Sequence, residues 1–127
     1  MEDPRHYIAP TNVKKISLLD PKLSVRLVLY YPLKSNSVLS FAFDEREISK
    51  IIFTRPLSCE DNKITINLQG NTSGLKDQYE DIINSPGIAN LPFIFEVKIN
   101  DETSDYATCI GSSEDYLSIY LGNNVLK

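Results

Sequence analysis

Along most of this chain apolar and polar residues alternate with a period of two, the pattern of strands that bury one face. From Leu23 to Tyr31, the residues Leu23, Val25, Leu27, Leu29 and Tyr31 oppose Ser24, Arg26, Val28 and Tyr30, and Pro32 ends the run. Val13 to Leu19 predicts an earlier strand, punctuated by Asp20-Pro21, because proline withdraws a ladder donor and biases its predecessor away from helix. Val38 to Phe43, Lys50 to Arg55 and Lys63 to Gln69 follow, with inward sets Leu39, Phe41, Phe43; Ile51, Phe53; and Ile64, Ile66, Leu68. The last third reads as a three-stranded meander. Phe93, Phe95, Val97 and Ile99, then Ala107 and Cys109, then Leu117, Ile119 and Leu121 form its expected core side.

Two segments depart from alternation. In 75–84, Leu75, Tyr79, Ile82 and Ile83 recur at i, i+4, i+7 and i+8, which predicts an amphipathic α-helix capped by Thr72 or Ser73 and ended by Ser85-Pro86-Gly87. Asp44 with Glu47 three residues on has capping-box spacing and predicts one helical turn at most. About eight strands and one helix, without βα alternation, predict a mainly β fold: an antiparallel β-sandwich or open barrel with the helix across one end. The chain's 127 residues fit a single globular domain over 1–127, with 1–12 as an extended or frayed leader.

Composition narrows the function classes. A formal net charge of −4 disfavours nucleic acid and anionic membranes as partners, since both need an excess of Lys and Arg, and favours a basic protein. The first ten residues carry acids and prolines where a secretory signal has a basic patch and an apolar run, and no segment approaches the ~20 apolar residues of a membrane span, so a cytoplasmic location is expected. Cys59 and Cys109 are far apart with no CxxC around either, which reads as two reduced thiols.

No motif carries catalysis, so no enzyme and no cofactor is expected. The only histidine, His6, lies in the leader; no serine sits in a GxSxG or SxxK arrangement. Gly70-Asn71-Thr72-Ser73-Gly74 lacks the spacing of a phosphate-cradling loop, and the acids Asp77, Glu80 and Asp81 that follow would repel a phosphate. Acids cluster at Asp101, Glu102 and Asp105 and again at Glu114 and Asp115. The two loops lie at opposite ends of the strand Tyr106 to Ile110, roughly 15 Å apart, so they cannot share an ion; only Asp101, Glu102 and Asp105 remain as a single-loop metal candidate.

The meander's outer side gathers Glu96, Lys98, Tyr106, Thr108, Ile110, Tyr116, Ser118 and Tyr120. Tyrosine gives large contact area with a hydroxyl handle and is enriched at interfaces. Tyr106, Tyr116, Tyr120, Lys98, Glu114 and Asp115 are therefore the expected partner-binding residues of a small acidic inhibitor, of the immunity-protein or antitoxin type. The alternatives are an assembly component of a virus or phage, for which a homo-oligomer is expected, and a calcium- or carbohydrate-binding module.

Overall fold

The computed structural model describes residues 5–8 and 12–121, with the side chains of 5–8 outside the description. Eleven strands occur among the described residues: β1 (Arg5–Ile8), β2 (Lys15–Leu18), β3 (Ser24–Val28), β4 (Ser37–Ala42), β5 (Lys50–Phe53), β6 (Lys63–Gln69), β7 (Gln78–Asn84), β8 (Ile94–Ile99), β9 (Glu102–Thr103), β10 (Tyr106–Ile110) and β11 (Tyr116–Leu121). Part of the expected leader is thus a strand, β1, paired with β3; residues 1–4 and 9–11 lie outside the described residues.

The fold is mainly β, with two sheets, but their connectivity is neither that of an antiparallel sandwich nor that of a barrel. Odd-numbered strands up to β7 enter sheet A, ordered β1-β3-β5-β7-β11-β10, and even-numbered strands up to β8 enter sheet B, ordered β2-β4-β6-β8-β9. Between two neighbours in one sheet the chain crosses to the opposite sheet and back, so each neighbour arrives in the same direction. Pairings β1·β3, β3·β5 and β5·β7, and likewise β2·β4, β4·β6 and β6·β8, are all parallel. A parallel pair needs a long crossover, and here the intervening strand of the other sheet supplies it. The result is a short β-solenoid with one strand of each sheet per coil.

Stacked coils put like residues above one another. In sheet B, Ile16, Leu39, Ile66 and Val97 form one inward row, and Leu18, Phe41, Leu68 and Ile99 the next. Across the interior, Val25, Ile51, Ile83 and Leu117 face them from sheet A, and all of these side chains but the half-buried Ile16 and Ile99 are buried. The predicted inward sets of β4, β5 and β6 are all in this core.

No α-helix is present among the described residues, and 78–84 is strand β7. A bulge explains why its spacing looks helical. Leu117 and Ile119 of β11 pair with Ile83 and Tyr79, so β7 spends two more residues than its partner over that stretch, and Asp81 adopts φ 53° within it. Two extra residues leave Tyr79 and Ile83 in one phase, opposite Ile119 and Leu117, while Ile82 within the irregular stretch is buried as well, so Tyr79, Ile82 and Ile83 meet the core at helical spacing. The stretch 71–75 is a three-residue 3₁₀ turn, Thr72–Gly74, capped by Asn71 rather than by Thr72 or Ser73.

Asp44 likewise starts no helix. Its carboxylate accepts from the amides of Arg46 and Glu47 at 2.8 Å each, closing a tight reversal between the bridged residues Phe43 and Ile48. Those two bonds, Arg46 first, hold its pKa below the ordinary 3.8. A carboxylate with a depressed folded pKa stabilises the fold above its unfolded value of about 3.9 and loses that contribution as pH falls through the folded one. Melting temperature should therefore decline more steeply below pH 4 in the wild type than in Asp44→Asn, as followed by circular dichroism; equal slopes would show that this reversal carries no acid sensitivity.

The far end of the solenoid is closed by antiparallel elements. Ile99 pairs with Glu102 across Asn100-Asp101, both at positive φ (50° and 68°), as a two-residue hairpin of type I′ requires. The β10–β11 hairpin adds antiparallel strands beside β7.

Candidate functional site

Opposed residues of an antiparallel pair share a face, and β10 pairs with β11 as Tyr106↔Leu121, Ala107↔Tyr120, Thr108↔Ile119 and Cys109↔Ser118. Tyr106 therefore lies on the inward side with the fully buried Ile119, and packs against the core. Ala107 and Cys109, the expected core residues of β10, lie on the outward side with Ser118 and Tyr120. The face of β10 is reversed from its predicted one because the loop between β9 and β10 carries the chain from one sheet to the other, instead of folding it back in the same sheet.

The other predicted binding residues separate as well. The Tyr106 hydroxyl donates to the Lys76 carbonyl, while the Lys76 amide donates to the Tyr79 hydroxyl at 2.9 Å. Both phenols have raised pKa values, from burial above all. Lys98 sits in sheet B, 3.7 Å from Glu96. Asp115 accepts from the Gly87 amide at 2.7 Å, and its carbonyl from Ser85, so it latches the β10–β11 turn onto the 85–90 turn. Glu114 is exposed beside it and its carbonyl accepts from Ala89. Only Tyr116 and Tyr120 remain together, on the outer face of sheet A.

That face has an order the sequence concealed. Register places Arg26, Ile52, Asn84 and Tyr116 in one row across β3, β5, β7 and β11. Arg26 is exposed and the other three half-buried. Beside the row, Ser24 pairs with Lys50, and a shallow cleft of about 280 Å³ is lined by Ser24, Lys50, Ile52, Asp81, Asn84 and Tyr116. The face thus combines a guanidinium, an ammonium, an amide, a phenol and an apolar patch. Sequence reasoning had Tyr116 but missed Arg26, Ile52 and Asn84, which are juxtaposed only by the unequal spacing of successive coils.

Asp101 of the metal candidate is committed elsewhere: its carboxylate accepts from Asn67 Nδ2 at 3.1 Å and its amide donates to Asn67 Oδ1 at 2.9 Å. No group of three His, Cys, Asp or Glu residues that could hold an ion occurs among the described residues. Cys59 and Cys109 are free thiols, both with pKa values raised by burial. No helix among the described residues is long and apolar enough to cross a membrane. Comparison with known proteins finds no matching family model, no matching curated protein and no matching solved structure.

Proposed function

We propose that this chain is a non-enzymatic protein-binding module whose contact surface is the outer face of sheet A. The observation that carries this reading is the row Arg26, Ile52, Asn84 and Tyr116, aligned across four adjacent strands. Tyrosine and arginine lead the residue types that dominate interface energies, and a stacked sheet presents them on a rigid, extended surface. The net charge of −4 would steer a partner of opposite net charge, raising the encounter rate, while the mixed face sets the fit. Inhibition of a basic toxic enzyme, in the manner of an immunity protein or antitoxin, is the concrete form of this proposal.

Affinity capture from the native host, followed by binding measurements with the retained protein, tests it. Arg26→Ala and Tyr116→Ala should each weaken binding at least about tenfold, about 1.4 kcal/mol. Glu96→Ala, on the outer face of sheet B, should leave it unchanged. Binding indifferent to both sheet A changes would remove the proposal.

Self-association is a second reading, favoured by one observation: among the described residues sheet B has unpaired edges at β2 and along Ile94 to Glu96 of β8, where Ile94 is 70% exposed. Parallel pairing of the β2 edge of one copy with the β8 edge of another would give a head-to-tail assembly. Light scattering on a size-exclusion column separates the two: a concentration-independent monomer supports the binding module, and growing oligomers support assembly.

A further inference from the structure

The corners that lead into three successive strands of sheet A converge on one side of the solenoid. Lys22 precedes β3, Arg46 precedes β5, Lys50 begins β5 and Lys76 precedes β7. All four are exposed and line one cleft of about 450 Å³, together with Ser24, Gln78, Tyr79, Glu47 and Glu80. The cleft thus sets four cations against two carboxylates in a chain whose overall charge is negative.

None of the four cations is within 4.0 Å of a carboxylate among the described residues; the two ion pairs there, Lys34–Glu60 and Lys98–Glu96, lie elsewhere. Cations ordinarily disperse over a surface or pair with acids; four in one cleft, opposed by Glu47, Glu80 and the Asp44 carboxylate that feels Lys22 and Arg46, leave an excess of positive charge that an anion experiences. The site is also held in place. The Lys76 peptide unit is bonded on both sides, its amide to Tyr79 and its carbonyl to Tyr106, and its ammonium reaches the Arg46 carbonyl at 3.2 Å. The Lys22 amide donates to Asp20 at 2.9 Å and the Arg46 amide to Asp44 at 2.8 Å, so the corners on either side are fixed turns. Successive strands are about 4.8 Å apart, which spreads the charges along the coil stack instead of concentrating them at one point.

We infer that this cleft binds a phosphate- or sulfate-class oxyanion carried on a small hydroxyl-bearing scaffold. Three ammonium groups supply compact point charges and Arg46 a planar fork, the pair of devices by which proteins hold tetrahedral oxyanions. Glu47, Glu80 and the Gln78 amide supply acceptors for hydroxyl donors, which a bare inorganic anion lacks. The volume lies within the usual range for small-molecule sites, about 300–1,000 Å³. The cleft shares Ser24 and Lys50 with the one beside Tyr116, but of the two Arg46 and Lys76 line only this cleft and Tyr116 only the other, so substitutions at those positions let either proposal fail alone.

Thermal melting of the full chain with inorganic phosphate, glucose 6-phosphate, glucose 6-sulfate and glucose, at matched ionic strength, tests the inference, because a ligand that binds only the folded state raises the melting temperature saturably. The sugar esters should give a saturable rise, inorganic phosphate a weaker one and glucose none. Arg46→Gln and Lys76→Gln should each raise the apparent Kd about tenfold, whereas Lys15→Gln, which removes the same charge from the edge of sheet B, should not. Each variant's own melting transition without ligand shows that it is folded. No saturable rise with any probe, or equal weakening by Lys15→Gln, would overturn the site; an equal response to inorganic phosphate and the sugar esters would overturn the scaffold assignment.

Discussion

Replacing Phe41 by alanine should lower the unfolding free energy by about 3 to 5 kcal/mol, the largest single loss expected outside multiple substitutions. Phe41 is 1% exposed and stands in the inward row Leu18, Phe41, Leu68 and Ile99 of sheet B. Its own strand β4 is pinned on both sides by parallel ladders, to β2 and to β6, so the coil stack cannot readily close over the vacated space. The cavity term therefore adds nearly in full to the lost transfer term. Domains of this size have about 5–15 kcal/mol in hand, and the variant should remain folded but marginal. Urea denaturation should show a lower midpoint with an unchanged slope, since the surface exposed on unfolding is the same. A loss below about 1 kcal/mol would mean that Phe41 does not occupy a packed interior.

Gly111→Ala is the second large effect, at about 1 to 3 kcal/mol, and its cause is overpacking. A Cβ at Gly111 would stand 2.1 Å from Asp81 Oδ1, 2.8 Å from Tyr116 Cβ and 3.0 Å from Ser118 Oγ. The same Asp81 oxygen accepts from the Ser112 amide at 2.8 Å, and the Asp81 amide donates to Ser118 Oγ at 2.8 Å, so the bulge of β7 is tied to the β10–β11 turn at this point. The added methyl must displace Asp81, Tyr116 or both. Coupling follows: Asp81→Gly removes the nearest obstruction, and the double variant should be less destabilised than the sum of the two single changes, as a thermodynamic cycle between contacting sites measures. Strict additivity would place Asp81 away from Gly111.

How far the sequence disclosed this fold depends on the kind of information each element needed. Strands β4, β5, β6 and β11 and their buried residues were legible, because alternation reports burial on one face whatever the partner's direction. Direction was not legible. The strands that turned out parallel are joined through corners such as Ser35-Asn36-Ser37 and Pro56 to Asn62, which do not differ in composition from long antiparallel connections. A solenoid is usually given away by an internal repeat, but here the stacked positions Val25, Ile51 and Ile83 are unevenly spaced, as are Leu39, Ile66 and Val97, so no period appears. The shortage of two-residue Asn-Gly or Asp-Gly hairpin signals was the available hint.

The candidate site was legible only in part, for the same reason. Tyr116 and Tyr120 stand out in the sequence because they share one strand. Arg26, Ile52 and Asn84 join Tyr116 through coil register, and the cations Lys22, Arg46 and Lys76 through aligned corners; neither relation exists until the direction of pairing is known. Tyr106 was misplaced by the crossing from β9 to β10, and 75–84 by the bulge at Asp81.

Direction of pairing therefore underlies both the row on sheet A and the cationic corners, and disulfide trapping measures it most directly. In a background of Cys59→Ser and Cys109→Ser, cysteines would be introduced in pairs on β3 and β5. Parallel register puts Ser24 opposite Lys50 and Arg26 opposite Ile52, at Cα separations near 4.8 Å that a disulfide spans. The diagonal pairs, Ser24 with Ile52 and Arg26 with Lys50, would be roughly 8 Å apart, beyond its reach. Oxidation should close Ser24→Cys with Lys50→Cys and Arg26→Cys with Ile52→Cys, and neither diagonal pair; closure of the diagonals with failure of the direct pairs would show antiparallel strands and contradict the solenoid and the surfaces built on it.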